Sequence, residues 1–178
     1  TPELNRLKDN TAIGTNKANT WLAITADLVK DSNANKATPV PVTGPLIEIN
    51  TFTEDTTSPQ LVKFDLDMSA LKLQLYFSET VKAATFSSTK FTIQSIETSA
   101  ETSVNLLNSQ YTRTSLTSIE VDLEVADANQ IKKLEFMAQT ESSTWLSFPD
   151  DAVTDMNDRL ITPFGTTSAK SCSILIPD

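Results

Sequence analysis

Histidine is absent from all 178 residues. Its absence removes the commonest general base, the usual partner of a catalytic serine or cysteine, and the most frequent ligand of borderline metals. Cysteine occurs once, at Cys172, so the residues offer no disulfide framework and no thiolate metal cluster. In "SCSILIP" that thiol is expected to be a buried, inert strand residue. Three glycines are too few for a glycine-rich phosphate loop. Cations are outnumbered: 14 Lys and Arg against 23 Asp and Glu leave a net charge of −9. They are also dispersed, which argues against nucleic acid, and an anionic membrane surface repels such a chain. No apolar run approaches the roughly 20 residues of a spanning helix. The opening "TPELNRLKDN" lacks an initiator Met and any signal-peptide pattern and reads as a processed or trimmed end.

Hydrophobic residues make up 39% of the chain, enough for an ordinary core and too many for a disordered chain. Ser and Thr together number 44, a hydroxyl-rich composition common in secreted and cell-surface proteins. There is no Asn-x-Ser/Thr sequon, so N-glycosylation is not expected. The "TTS" clusters at 56–58 and 166–168 stay open between O-glycan carriers and plain solvated loops.

The strongest signal is internal. "TWLAITADLVKDSNA" (20–34) returns 124 residues later as "TWLSFPDDAVTDMND" (144–158). The alignment extends without a gap over 37 positions, from Glu3–Pro39 to Asp127–Pro163, with 11 identities. Among them are Trp21/Trp145, Asp27/Asp151, Asp31/Asp155 and Asn33/Asn157. A spacing this large is the period of a whole folded unit. The chain therefore divides into the C-terminal part of one repeat (1–52), an acidic, Pro-closed linker (53–60) and one near-complete repeat (61–178).

The longer segment reads as short strands. "LVKFDLD" and "LKLQLYF" alternate, placing Leu71, Leu73, Leu75 and Phe77 on one face. "KFTIQSIE", "SIEVDLEV" with Ile119, Val121, Leu123 and Val125 inward, "TWLSF", "AVTD" and "CSILI" supply the rest. About seven strands between turn-rich segments predict an all-β, antiparallel β-sandwich. "ADANQIKKLEF" breaks the pattern with helical spacing and Asp127 as a predicted N-cap, and its counterpart "TPELNRLK" has Thr1 as cap and Pro2 at the first helical position. One short crossover helix per unit is expected.

"LKLQLYFSETV", with Phe77, Ser78, Glu79 and Val81 matching an FSE-x-V signature, "IEVDLEVADANQIKKL" and "TWLSFPDDAVTDMND" together resemble tandem Ig-like repeats. Such bacterial Ig-like or cadherin-like units occur in large surface and flagellar-hair (mastigoneme-like) proteins of algae and other microbial eukaryotes. The resemblance spans essentially the whole chain. It implies an Ig-like sandwich, an extracellular or cell-surface location, and a role as building element in adhesins, stalks, sheaths or hairs. The family's Asp-x-x-Gly-Asn turn lacks its glycine in both copies here.

Two acidic groups invite a cation reading. Asp151, Asp155, Asn157 and Asp158 place four oxygen-bearing side chains within eight residues, and Ca²⁺ takes six to eight oxygens. Glu54 and Asp55 in the linker, with Glu79, form the other set. Against these stand an Asx-type turn and a solvated acidic linker. Trp21 and Trp145 are read as core or inter-domain residues before sugar platforms, with one of each Trp-Leu pair facing inward. Asp65 and Asp67, two apart on one strand, read as edge-strand decoration, not as an acid/base pair.

These residues lead to the expectation of a non-enzymatic structural repeat that serves as spacer, adhesion or filament-building unit. Its partners would be adjacent repeats or neighbouring subunits. The alternatives are a carbohydrate- or partner-binding module of a secreted protein and a Ca²⁺-dependent adhesion domain.

Overall fold

The computed structural model describes residues 1–178. The chain separates into two compact units, Thr1–Asp55 and Thr56–Asp178. Residues 51–60, around the boundary, form no regular element.

The first unit is sparse. Helix α1 (Pro2–Asp9) starts as its sequence predicts, with the Thr1 hydroxyl accepting from Leu4 N–H and Pro2 in the first turn. Strands β1 (Trp21–Leu22) and β2 (Ile47–Glu48) make one antiparallel pair. No residue of this unit is buried.

The second unit contains two sheets. One has five strands: β3 (Leu61–Asp67), β4 (Lys72–Phe77), β7 (Gln110–Ser115), β8 (Ser118–Asp122) and β11 (Ile174–Ile176), in the order β11-β3-β4-β8-β7. The other has four: β5 (Thr92–Ile96), β6 (Ser99–Asn105), β9 (Trp145–Ser147) and β10 (Lys170–Ser171), in the order β10-β9-β5-β6. Alternation explains their packing: Leu73, Leu75 and Phe77 of β4, Phe64 and Leu66 of β3 and Ile119 and Val121 of β8 point inward. They share one core with Ile93 of β5 and Leu146 of β9. At roughly 1.5–3 kcal/mol for each fully buried large apolar side chain, this core dominates the unit's stability. The unit is thus mostly β, with its two sheets packed on a common core, as the alternation predicts.

Four local expectations are corrected. Val125 does not end a strand; it opens helix α2 (Val125–Lys133) and is 63% exposed. Asp127 is not the N-cap, since Glu124 holds that place; Asp127 lies buried in the first turn and accepts from Leu107 N–H at 3.0 Å. "KSCSILI" is two strands: the chain leaves one sheet at Cys172, whose N–H donates to Thr144 O, and joins the other at Ser173, whose N–H donates to Phe64 O. That crossing places β11 parallel to β3, the one departure from the antiparallel rule. It also makes β3 an interior strand, so Asp65 and Asp67 do not lie on an edge; Asp65 accepts from Lys63 Nζ at 3.0 Å.

Several bonds of the first unit recur in the second at a spacing of 124. The bridges Ile24–Val40 and Lys30–Lys36 return as Phe148–Phe164 and Thr154–Leu160. Trp21 Nε1 donates to Ala18 O, and Trp145 Nε1 to Ser142 O. The Thr20 hydroxyl donates to Asn16 O, and that of Thr144 to Thr140 O. Two left-handed positions also coincide, Gly14 with Ala138 and Ala34 with Asp158, whereas left-handed Phe136 has no counterpart at Ala12. The last loop slips by one, because Leu22 pairs with Ile47 whereas Leu146 pairs with Lys170.

Candidate functional site

The acidic turn of the second unit is built by Asp155. Its Oδ1 accepts the backbone N–H groups of Asn157 and Arg159, both at 2.8 Å. Asp158 then takes the left-handed conformation at φ 61°, the place a glycine fills in the usual form of such a turn. The carboxylate is buried, at 2% exposure. In the first unit Asp31 performs the same closure in the open, accepting from Asn33 N–H, Asn35 N–H and Asn35 Nδ2 at 2.9 Å each. The Asn35 side-chain bond, followed by the backbone donors, holds the Asp31 carboxyl below its ordinary range.

Two of the other predicted ligands of this turn are ion-paired. Asp151 is exposed and paired with Lys90 at 2.7 Å. Asp158 is paired with Lys82 at 2.7 Å. The Asn157 side chain lies exposed, and only its backbone serves the turn. Glu54 is exposed, and half-buried Asp55 is ion-paired with Lys8 within its own unit. Lys82 and Lys90 carry no sequence signal that pairs them with acids 76 and 61 residues away.

What the fold does bring to Asp155 is Glu79. The bridge between Val81 and Asp155, and the bond from Lys82 N–H to Thr154 O at 2.8 Å, lay the Ser78–Val81 turn beside the acidic turn. Glu79 is 6% exposed, and carboxylate oxygens of the two residues lie within 4.8 Å. Two buried carboxylates this close need a proton, a donor or a cation between or around them. Glu79 follows β4, and nothing in the sequence marks Asp155, 76 residues on, as its neighbour.

The aromatic residues are committed locally. Trp145 is half-buried beside fully buried Leu146, as the one-in, one-out expectation requires, whereas Trp21 and Leu22 are both about half exposed. Tyr76 lies under the Lys63 ammonium at 4.1 Å. Tyr111 meets Phe86 edge-on and donates to Ala83 O at 2.9 Å. A hollow of about 340 Å³ opens beside Phe148, Pro149, Pro163 and Phe164, with Lys90 at its rim and no carboxylate in its lining. Cys172 is buried, and desolvation raises its thiol to about 11, so it is unreactive as a nucleophile near neutral pH.

No helix is long and apolar enough to cross a membrane. No protein-family model, curated protein or solved structure matches the chain.

Proposed function

We propose that the chain is a structural, non-enzymatic segment of an extracellular surface protein, built from Ig-like sandwich units of about 124 residues and acting as a spacer, adhesion or filament-building element. The observation that carries this reading is the recurrence of bridges, tryptophan bonds and left-handed turns at one spacing in both units. Repetition of a structural scaffold, including its turn geometry, is what a modular array requires. Two sheets on one core, with the last strand returning beside the first, support the Ig-like form of the unit. Antibodies raised against the folded chain should label intact, unpermeabilised cells along an extended surface structure. Labelling that appears only after permeabilisation would sink the reading.

A second reading, Ca²⁺-dependent stabilisation, draws on the buried Glu79–Asp155 pair. Millimolar Ca²⁺ should then raise the thermal midpoint and EDTA lower it, while Asp155→Asn should abolish the difference. Identical midpoints in Ca²⁺ and EDTA would remove this reading and leave the first intact.

A further inference from the structure

We propose that the second unit docks onto further copies of this chain, the exposed Phe136 of one copy entering the hollow beside Phe148 and Phe164 of the next. The inference goes beyond the structural reading and stands on Thr56–Asp178 alone. Phe136 is 71% exposed, more than any other aromatic side chain, and its φ is 65°. A bulky residue rarely takes the left-handed region, which glycine fills without strain. The turn after α2 therefore combines a strained backbone with an apolar ring in water. The core explains neither, since Leu134 and Met137 serve it from the same turn while Phe136 stands clear of it.

The hollow supplies the surroundings that this ring lacks. Its volume of about 340 Å³ lies at the small end of the roughly 300–1,000 Å³ of ligand pockets, a size for one side chain. Phe148, Pro149, Pro163 and Phe164 make its walls apolar, and the two phenylalanines meet edge to face at 5.7 Å. An entering ring extends that aromatic pair. Charge orients it. Lys170 holds its ammonium over the Phe164 ring at 5.6 Å and meets no carboxylate. Glu135, next to Phe136, is exposed and joins no ion pair. Seating Phe136 against Phe164 brings this unmatched acid to that unmatched base, whereas Lys90 at the rim is already held by Asp151. Knob and hollow also go together. The first unit has Ala12 at the position of Phe136, and Ile24 and Val40 at those of Phe148 and Phe164. Because knob and hollow are different patches, the contact is heterologous and continues from copy to copy. It is small, hence weak for a single pair, and strengthens where several units are linked.

The test isotope-labels the full chain carrying Phe136→Gly, which keeps the hollow and loses the ring, and titrates it with the unlabelled parent up to roughly 1 mM. Amides of Phe148, Gly165 and Thr166 should shift progressively. Unlabelled Phe136→Gly chain as titrant should leave them in place. Unchanged amide positions across β3, β4 and β8 will show that the variant is folded, as expected where glycine takes over a left-handed position. Should it lose the fold, Phe136→Asn, which also tolerates that conformation, replaces it. Glu135→Lys in the titrant should weaken the response about threefold, and Lys170→Glu in the labelled chain should restore it. The inference is overturned if the parent shifts no amide of the hollow, if the Phe136→Gly titrant shifts them equally, or if Glu135→Lys changes nothing. Concentration-dependent shifts of the labelled parent confined to residues 134–138 also overturn it, because the rings then meet each other. Failed docking leaves the surface-labelling test untouched, and failed labelling leaves this titration untouched, so the two readings fall separately.

Discussion

Asp155 and Asp31 do the same job in different surroundings, and the difference decides what each contributes. Both close an Asx turn through Oδ1. Asp155 is buried, so its removal leaves two backbone donors without their acceptor in a place water reaches poorly. Asp155→Ala is expected to cost about 1–3 kcal/mol in urea unfolding, and Asp31→Ala should leave the midpoint of the transition unchanged. Asp127 poses a different electrostatic problem. Burial raises its carboxyl above the ordinary 3.8, with Glu124 adding to the rise and the bond from Leu107 N–H opposing it. The folded chain therefore holds this proton more tightly than the unfolded chain. The stability attributable to Asp127 is greatest below 3.8 and declines as pH rises through the raised value. Asp127→Asn should thus gain on the parent from pH 4 toward neutrality, as measured by unfolding at each pH; a gap that narrows over that range contradicts the assignment.

Elements were legible where a period of two or a capping residue marks them. The inward faces of β3, β4 and β8 and the start of α1 follow from alternation and from Thr1-Pro2. Long-range placement was not legible, because it depends on which sheet a segment joins. "KSCSILI" holds strand-forming residues throughout, yet it splits at Cys172 because neighbouring chains compete for its backbone groups. The burial of Glu79 likewise depends on a bridge to Asp155, 76 residues away. Trp-Leu is the clearest case: the pair in β1 and the pair in β9 have the same sequence and the same tryptophan bond, and only β9 has a strand on each side. Leu146→Ala is accordingly expected to cost about 2–5 kcal/mol. Leu22→Ala should stay within about 0.5 kcal/mol, both by urea unfolding. Equal costs would contradict the burial difference.

For the whole molecule, the structure locates the stability in one part of the chain. All buried side chains belong to the second unit. Local opening follows burial and hydrogen bonding, so amides of residues 1–55 should exchange far faster than those of β4, β5 and β8. Limited proteolysis is expected to cut within residues 1–60 and leave a resistant fragment beginning near Thr56. Cleavage first within β3–β9 would contradict this distribution.

The parallel seam between β3 and β11 carries one more consequence. β3 opens the core of the second unit and β11 closes it, and the two run side by side in the same direction from Asp65–Ile174 to Asp67–Ile176. The bond from Met68 N–H to Ile176 O at 2.8 Å extends the seam. A tension applied at the two ends of this unit pulls the strands past each other along their length. Every rung is then loaded together, in shear, and none can be peeled open singly. Stretching the unit between residues 56 and 178 in a single-molecule instrument should give one abrupt rupture. Attachment at residues 61 and 77, at the open end of the β3–β4 hairpin, unzips the two strands rung by rung and should require distinctly less force.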